Sequence, residues 1–378
     1  MTEAIRGVTR ADLAAMTRLA DSSIELVLRL QDESGAYPAS PTFSAYSGYS
    51  WFRDGAFIAD AMSTAGAIES ANKFFDWCAR IIKARRSTIE RIAAASTAGS
   101  PVPNTEMLPA RFTFSGEDGA DAWWDFQLDG YGTWLWAVAE HSVRHSIDIG
   151  RWIPAVELTV EYLLSSWNRP CFDWWEEHEE KVHVSTLSCI CAGLQAVSGD
   201  LDVAVRTKIQ ATVATIQSSI LTSGVADGHL TKWLGSPELD SSLLAAVSPL
   251  ALFPASSPVG SATIDAVARE LASDHGVHRY LADTFFGGGQ WPLLSCFLGL
   301  AYAARGDRDS ALAQLAWACE TADETGALPE QVDWQLLDPS HRQEWIDRWG
   351  PVARPLLWSH AMYIKLAVEV GVLAALDA

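Results

Sequence analysis

The stretch "CFDWWEEHEEKVHVSTLSCICAGLQA", residues 171–196, sets two tryptophans and four glutamates directly before a long apolar run. Its second half bears on the fold. From Ser185 onward nearly every position is apolar or small, so a helix there has no polar face to offer water and must be buried all round. Its first half poses a chemical question. Trp174, Trp175, Glu176, Glu177, Glu179 and Glu180 crowd together, like charges repel, and an indole beside a carboxylate strips its water and disfavours its charge. The run is either a solvated acidic turn capping the helix that starts near Ser185, or the seat of a carboxylic acid kept protonated as a general acid.

The same pattern recurs along the chain: a polar, aromatic loop, then an apolar helix rich in small residues, then an amphipathic helix. Apolar helices are expected from near Asp54, Gly130, Ser185, Ser241, Trp291 and Trp358, and amphipathic ones over 10–31, 67–94, 151–166, 200–222, 261–274 and 307–323. Six buried helices alternating with six one-sided ones predict an all-α fold, a double ring closed into an (α/α)6 barrel of six inner and six outer helices. An open helical solenoid is the rival, but its common repeats are shorter, at roughly 34 to 47 residues. No linker or composition shift divides the chain, so one catalytic domain over 1–378 is expected. The longest non-helical stretch, 95–124, is expected to form a functional loop over a pocket mouth.

Composition narrows the partners. The chain has 378 residues, 49% of them hydrophobic, and a formal charge of -20. Such a field repels phosphate backbones and anionic membranes, so a neutral or cationic partner is expected, with no nucleic acid and no membrane. No segment reaches the roughly 18 apolar residues a membrane span needs. The first twenty residues lack an uninterrupted apolar core with a cleavage site behind it. Six cysteines scattered in apolar helical context, without a CxxC, fit reduced core residues and a cytoplasmic location. Nine histidines with no HxH or HExxH spacing imply neither metal nor cofactor. Seventeen tryptophans are the unusual number. Indole faces stack on the C–H faces of sugar rings, so Trp beside Asp, Glu and Arg suggests a carbohydrate pocket, whereas a large helical core is the other use for them.

If the ring closes, the loops entering the inner helices meet at one end. They carry Tyr46, Tyr49, Trp51, Arg53 and Asp54; Trp123, Trp124, Gln127 and Asp129; Trp174, Trp175, Glu176 and Glu177; Arg279, Asp283, Phe285 and Trp291; and Glu330, Gln331, Asp333, Trp358 and His360. Aromatics, carboxylates and arginines therefore gather at the same place in each repeat.

In this order, "WFRDGAFIADAM", "FQLDGYGTWLWAV", "DWWEEH", "RYLADTFFGGGQW" and "LPEQVD…PLLWSHAMYIKLA" resemble glycoside hydrolase family 15, the glucoamylase family, across nearly the whole chain. The resemblance implies an (α/α)6 barrel that hydrolyses α-glucosidic bonds from the non-reducing end with inversion and without a cofactor. It implies Glu176 as general acid and Glu330 as general base, which an inverting enzyme holds roughly 6.5 to 9.5 Å apart to admit a water. Burial by Trp175 and the charge of Glu177 are expected to keep Glu176 protonated. Arg53 and Asp54 match the pair that grips hydroxyls of the terminal glucose, and Arg279 matches the arginine opposite. Trp51, Trp123 or Trp124, Trp175, Trp291 and Trp358 match stacking tryptophans. Gln127 and Asp129 are either sugar contacts or loop scaffolding.

Two departures bear on substrate. Neither an accessory β-sandwich nor a starch-binding domain is expected, which argues against long insoluble starch. Where many members carry two tyrosines, this chain has Phe285 and Phe286, and either Tyr46 or Tyr49 is left to assist the base. These features look most like compact bacterial members that act on α-1,6-linked glucose disaccharides such as isomaltose. The alternatives are an α-1,4 glucoamylase for short chains, a family 15 trehalase and, from a different class, a sugar-binding protein that has lost catalysis. The presence of both carboxylates argues against the last.

Overall fold

The computed structural model describes residues 9–123 and 125–374. In chain order its helices are Arg10–Leu30 (α1), Phe52–Thr64 (α2), Ile68–Ala84 (α3), Arg86–Thr97 (α4), Asp129–His145 (α5), Ile153–Ser166 (α6) and Val184–Val197 (α7). They continue with Val203–Ser223 (α8), Leu244–Val247 (α9), Pro258–Glu270 (α10), Pro292–Ala304 (α11), Arg308–Glu320 (α12), Arg342–Trp349 (α13) and Leu357–Glu369 (α14).

The inner ring closes on itself. α2 packs on α5, α5 on α7, α7 on α9, α9 on α11, α11 on α14, and α14 returns to α2. Every residue of α2 from Phe52 to Ser63 is buried, as are the first ten of α11. The outer helices are one-sided: α8 buries only Ile209, Val213, Ile216 and Ile220, a single stripe at helical spacing. Small residues set how tightly the inner ring packs. Gly132 of α5 and Gly193 of α7 lie backbone against backbone, and a Cβ on either would run into the main chain of the other helix.

Three parts of the helical pattern differ from expectation. The helix expected over 67–94 is two, because the chain turns at Arg85 between α3 and α4. The fourth inner helix is only a 3-10 turn, Ser241–Leu243, followed by α9. It stops at Val247 because Ser248 precedes Pro249, and the proline ring drives the residue before it into extended backbone. α13, with no fully buried residue, lies outside the expected twelve.

The residues of 95–124 that are described are not all loop. Arg111–Thr113 (β2) pairs antiparallel with Tyr49–Trp51 (β1), with Trp51 opposite Arg111. That pairing brings the segment to the ring's entrance. Two hairpin pairs, Val225–Ala226 with His229–Leu230 and Ala272–Ser273 with Gly276–Val277, complete the strands among the described residues. No helix among those residues is long and apolar enough to cross a membrane.

Candidate active site

The N-terminal ends of the inner helices surround a cavity of about 930 Å³, counted with its open mouth. Eight tryptophans line it: Trp51, Trp123, Trp174, Trp175, Trp291, Trp345, Trp349 and Trp358. Trp77, Trp134 and Trp152 are instead fully buried core residues, so this chain puts tryptophan to both expected uses. Arg53, Asp54, Tyr46, Glu176, Glu177, Arg279, Phe285 and Glu330 complete most of the wall. Glu176 and Glu330, 154 positions apart in the chain, share this cavity only because the ring closes.

Glu176 sits in a tight turn in left-handed backbone, φ 66°, which costs a non-glycine residue about 1–2 kcal/mol. Its Oε1 accepts from Trp51 Nε1 at 2.9 Å, Trp123 Nε1 at 3.0 Å and Gln127 Nε2 at 3.4 Å. All three donors go to one oxygen, which marks Oε2 as the one that can carry a proton. Burial raises the Glu176 carboxyl above its ordinary range, while the Trp123 bond, the Arg53 charge and the Trp51 bond pull it back. Of the two expected causes burial is the one found, and the Glu177 charge is turned elsewhere. Glu177 faces Arg279 at 3.5 Å and accepts the Tyr280 hydroxyl, and Trp175 turns its indole N–H to Asp240.

Glu330 is 2% exposed. Its Oε1 accepts the Tyr46 hydroxyl at 2.9 Å, and its Oε2 takes no hydrogen bond from any described residue. Burial pushes the carboxyl up to about 8, against the Tyr46 bond and the Arg279 charge, with Asp54 and Glu176 adding repulsion. Tyr46, rather than Tyr49, therefore meets this carboxyl. Tyr49 stands two pairs from Trp51 on β1, beyond the cavity lining, with its hydroxyl on Asp121 at 2.6 Å.

Arg53 donates to Gln127 at 2.6 Å and Asp129 at 2.9 Å and lies 3.4 Å from Asp54. Asp54 is pushed up to about 6 by burial, which outweighs the pull of Arg53, with Glu176 and Asp129 adding to the rise. Its Oδ2 takes no hydrogen bond from a described residue. Gln127 and Asp129 do not line the cavity. They stand behind it at or just before the start of α5, where Gln127 bridges Arg53 to Glu176, and of the two roles open to them, sugar contact or loop scaffolding, these positions fit scaffolding. Arg279 is clamped by Asp283, at 2.7 Å through Nε, and its guanidinium lies 5.1 to 5.4 Å from the rings of Trp175, Phe285 and Trp291. Trp358 stacks on Phe57 with centroids 5.5 Å apart. Trp124 lies outside the described residues.

Several wall residues escape a sequence reading. Trp345 and Trp349 come from α13; Trp345 meets Phe285 with ring centroids at 4.9 Å and donates to the Thr284 carbonyl at 3.0 Å. Arg111, which does not line the cavity, is fully buried behind the wall between the rings of Tyr49 and Trp123, 3.9 and 4.2 Å from their centroids. The sequence signal for α13 was present in "EWIDRW", an aromatic pair at helical spacing. No set of three or more potential metal-ligating side chains occurs among the described residues.

Paired buried carboxyls in a tryptophan-walled cavity at one end of a helical double ring define a glycoside hydrolase of the (α/α)6 type. The chain belongs to glycosyl hydrolases family 15, whose model matches residues 14–309. It is 50% identical to an isomaltose glucohydrolase of Kribbella flavida over 98% of both chains. It superposes with a TM-score of 0.95 on a solved glycosidase in complex with glucose, at 49% identity over 97% of this chain and 100% of that one. A bacterial glucoamylase complexed with acarbose, 19% identical, shares the fold with a TM-score of 0.73 over 94% of this chain and 55% of that one.

Proposed function

We propose that this hydrolase releases β-glucose, with inversion, from the non-reducing end of short α-linked gluco-oligosaccharides, isomaltose foremost. The observation that carries the reading is the asymmetry of the two carboxyls. Glu176 holds its Oε1 under three N–H donors, so a proton on Oε2 faces the cavity; Glu330 keeps Oε2 without a donor among the described residues and accepts a hydroxyl on Oε1.

Glu176 gives its proton to the glycosidic oxygen as the C1–O bond breaks, while Glu330 takes a proton from the water that attacks C1 on the opposite face. Asp54, with an acceptor oxygen to spare, and Arg53 hold hydroxyls of the terminal glucose. The raised carboxyl of Glu330 makes its ionised form a stronger base than a solvated glutamate. Its Tyr46 and Arg279 partners favour that ionised form. Trp123, Trp345 and Trp349 offer a ring surface for about one sugar beyond the scissile bond, which suits a disaccharide. The α-1,6 preference is supported by the identity to the Kribbella enzyme over 98% of both chains. The same reading takes residues 1–378 as one catalytic domain that acts in the cytoplasm, supported by six unpaired cysteines, five of them buried.

Proton NMR during the first minutes of hydrolysis of isomaltose, maltose, trehalose and panose tests all of this. β-Glucose should appear first, isomaltose should have the highest kcat/KM, and rates should fall or level off with chain length. α-Glucose appearing first would overturn inversion. A preference for maltose, or for trehalose, would move the substrate to an α-1,4 glucoamylase or a trehalase.

A further inference from the structure

We infer that Lys232 is a positioning residue for this reaction: its buried ammonium fixes the two aspartates that hold Trp175, and so sets where the Glu176 carboxyl stands. The inference rests on Glu176 being the acid.

Lys232 lies outside the cavity lining and is 3% exposed. Its Nζ stands 3.3 Å from Asp240, 3.9 Å from Asp173 and 3.1 Å from the centroid of the Tyr280 ring. The two aspartates grip Trp175 at separate points. Asp240 accepts its indole N–H, at 2.9 Å to one oxygen and 3.1 Å to the other. Asp173 Oδ1 accepts the backbone N–H of Trp175 and of Glu177, both at 2.9 Å. Glu176 is the residue between those two N–H groups, in left-handed backbone that needs outside support. Tyr280, whose ring carries the ammonium, donates its hydroxyl to Glu177.

Asp173 and Asp240 are buried together with Glu177 nearby, and a buried carboxylate is a strong acceptor only while it is ionised. Burial already pushes Asp173 up to about 7, with Lys232 pulling it down and Glu177 and Asp240 pushing it further up. His183 also feels both Lys232 and Asp240, and Arg279 neutralises Glu177 from the cavity side. Lys232 is thus the cation that stands against both aspartates behind the wall and offsets their mutual repulsion. Without it Asp173 takes up a proton more readily and its grip on the Trp175 and Glu177 N–H groups weakens, while Asp240 loses the ion pair that holds it against the Trp175 indole.

The test compares isomaltose, whose leaving oxygen needs the Glu176 proton, with α-glucosyl fluoride, whose fluoride leaves with far less acid assistance. Lys232→Met should lose at least about tenfold more kcat on isomaltose than on the fluoride, since misplacing an acid costs only the step that uses it. Lys232→Arg should restore most of that loss. Equal losses on both substrates, or a kcat on isomaltose within twofold of the parent, would overturn the role. Should Lys232→Met not fold, Asp173→Asn decides: it keeps an acceptor of the same shape without the charge, and should show a smaller loss that again spares the fluoride. Glu176→Gln on the same two substrates separates the premises. If it keeps isomaltose hydrolysis the acid assignment fails; if it loses isomaltose selectively while Lys232→Met and Asp173→Asn do not, only the lysine inference fails.

Discussion

Two buried aspartates on α2, less than two turns apart, live under opposite electrostatics. Asp60 is fully buried, 2.9 Å from Arg144 and hydrogen-bonded to Lys365; burial alone would raise its carboxyl, but the two cations outweigh it and the net shift is downward. Asp54 has one cation, Arg53, which it shares with Asp129, and Glu176 stands close enough to repel it, so it is pushed up to about 6. One end of the helix is charge-balanced and the other holds more negative charge than its partners neutralise. Frustration of that kind persists in a fold only where the rest of the molecule enforces it. Here the closed ring does so, and buried acceptor oxygens of Asp54 and Glu330 are left without a hydrogen-bond donor among the described residues.

The largest expected effect lies wholly at the frustrated end. Glu176→Gln and Glu330→Gln should each lower kcat on isomaltose by at least about a thousandfold, because general acid and general base steps each supply ~10² to 10⁴. Their melting temperatures should not fall, since each substitution removes a carboxyl that burial already disfavours. A Glu330→Gln enzyme with near-full hydrolysis would remove Glu330 from the chemistry.

The two aspartates themselves should separate activity from stability. Asp54→Asn should cost about a hundredfold or more in kcat/KM through lost hydroxyl contacts in the transition state. Its melting temperature at pH 7 should be unchanged or higher: a folded pKa near 6 means that ionising Asp54 erodes stability as pH rises through that value, and Asn removes the cost. Asp60→Asn should do the reverse, losing about 3 kcal/mol of stability by leaving two partly buried cations without their anion, with kcat of the folded enzyme nearly unchanged. Because the Asp60 pKa is lowered on folding, its contribution is present above the unfolded carboxylate value and is lost as pH falls through the folded one. Chemical denaturation at pH 7 and at acid pH, beside kinetics, reads both. Equal melting temperatures for the two variants would break the comparison.

The smallest effects concern the donors. Tyr46→Phe removes a bond that lowers the Glu330 pKa, so the acid limb of the kcat/KM profile should move to higher pH. Trp123→Phe removes a bond that lowers the Glu176 pKa, so the alkaline limb should move up instead. Shifts of roughly half to one pH unit are expected for one hydrogen bond, measured as apparent values that belong to the coupled pair. If both variants moved the same limb, the division of labour between the carboxyls would be wrong.

Much of this was legible before any coordinates. Helix periodicity is a local property, so the ends of most of the twelve helices lie within a few residues of their expected places. The same pattern of apolar and one-sided helices implied a double ring. Cavity residues next to inner-helix starts, such as Arg53, Asp54, Glu176 and Trp358, were legible because the chain segment that makes the helix also delivers the side chain. What was illegible came from contacts distant in sequence. Arg111 reaches the mouth only through β2 pairing with β1, α13 sits against Phe285 across the entrance, and Lys232 meets Asp173 and Asp240 only once α7 and α9 are neighbours.

The sequence by itself determined the helical ring and the family, and singled out the two glutamates that share the cavity, because amphipathic period and short motifs are written in consecutive residues. Only the tertiary structure decided that Tyr46 rather than Tyr49 meets Glu330, that Gln127 and Asp129 stand behind the wall, and that Glu177 pairs with Arg279 and leaves burial to raise Glu176. Those outcomes depend on desolvation and on which oxygen each donor reaches, and both quantities exist only after the ring has closed and excluded water from its end.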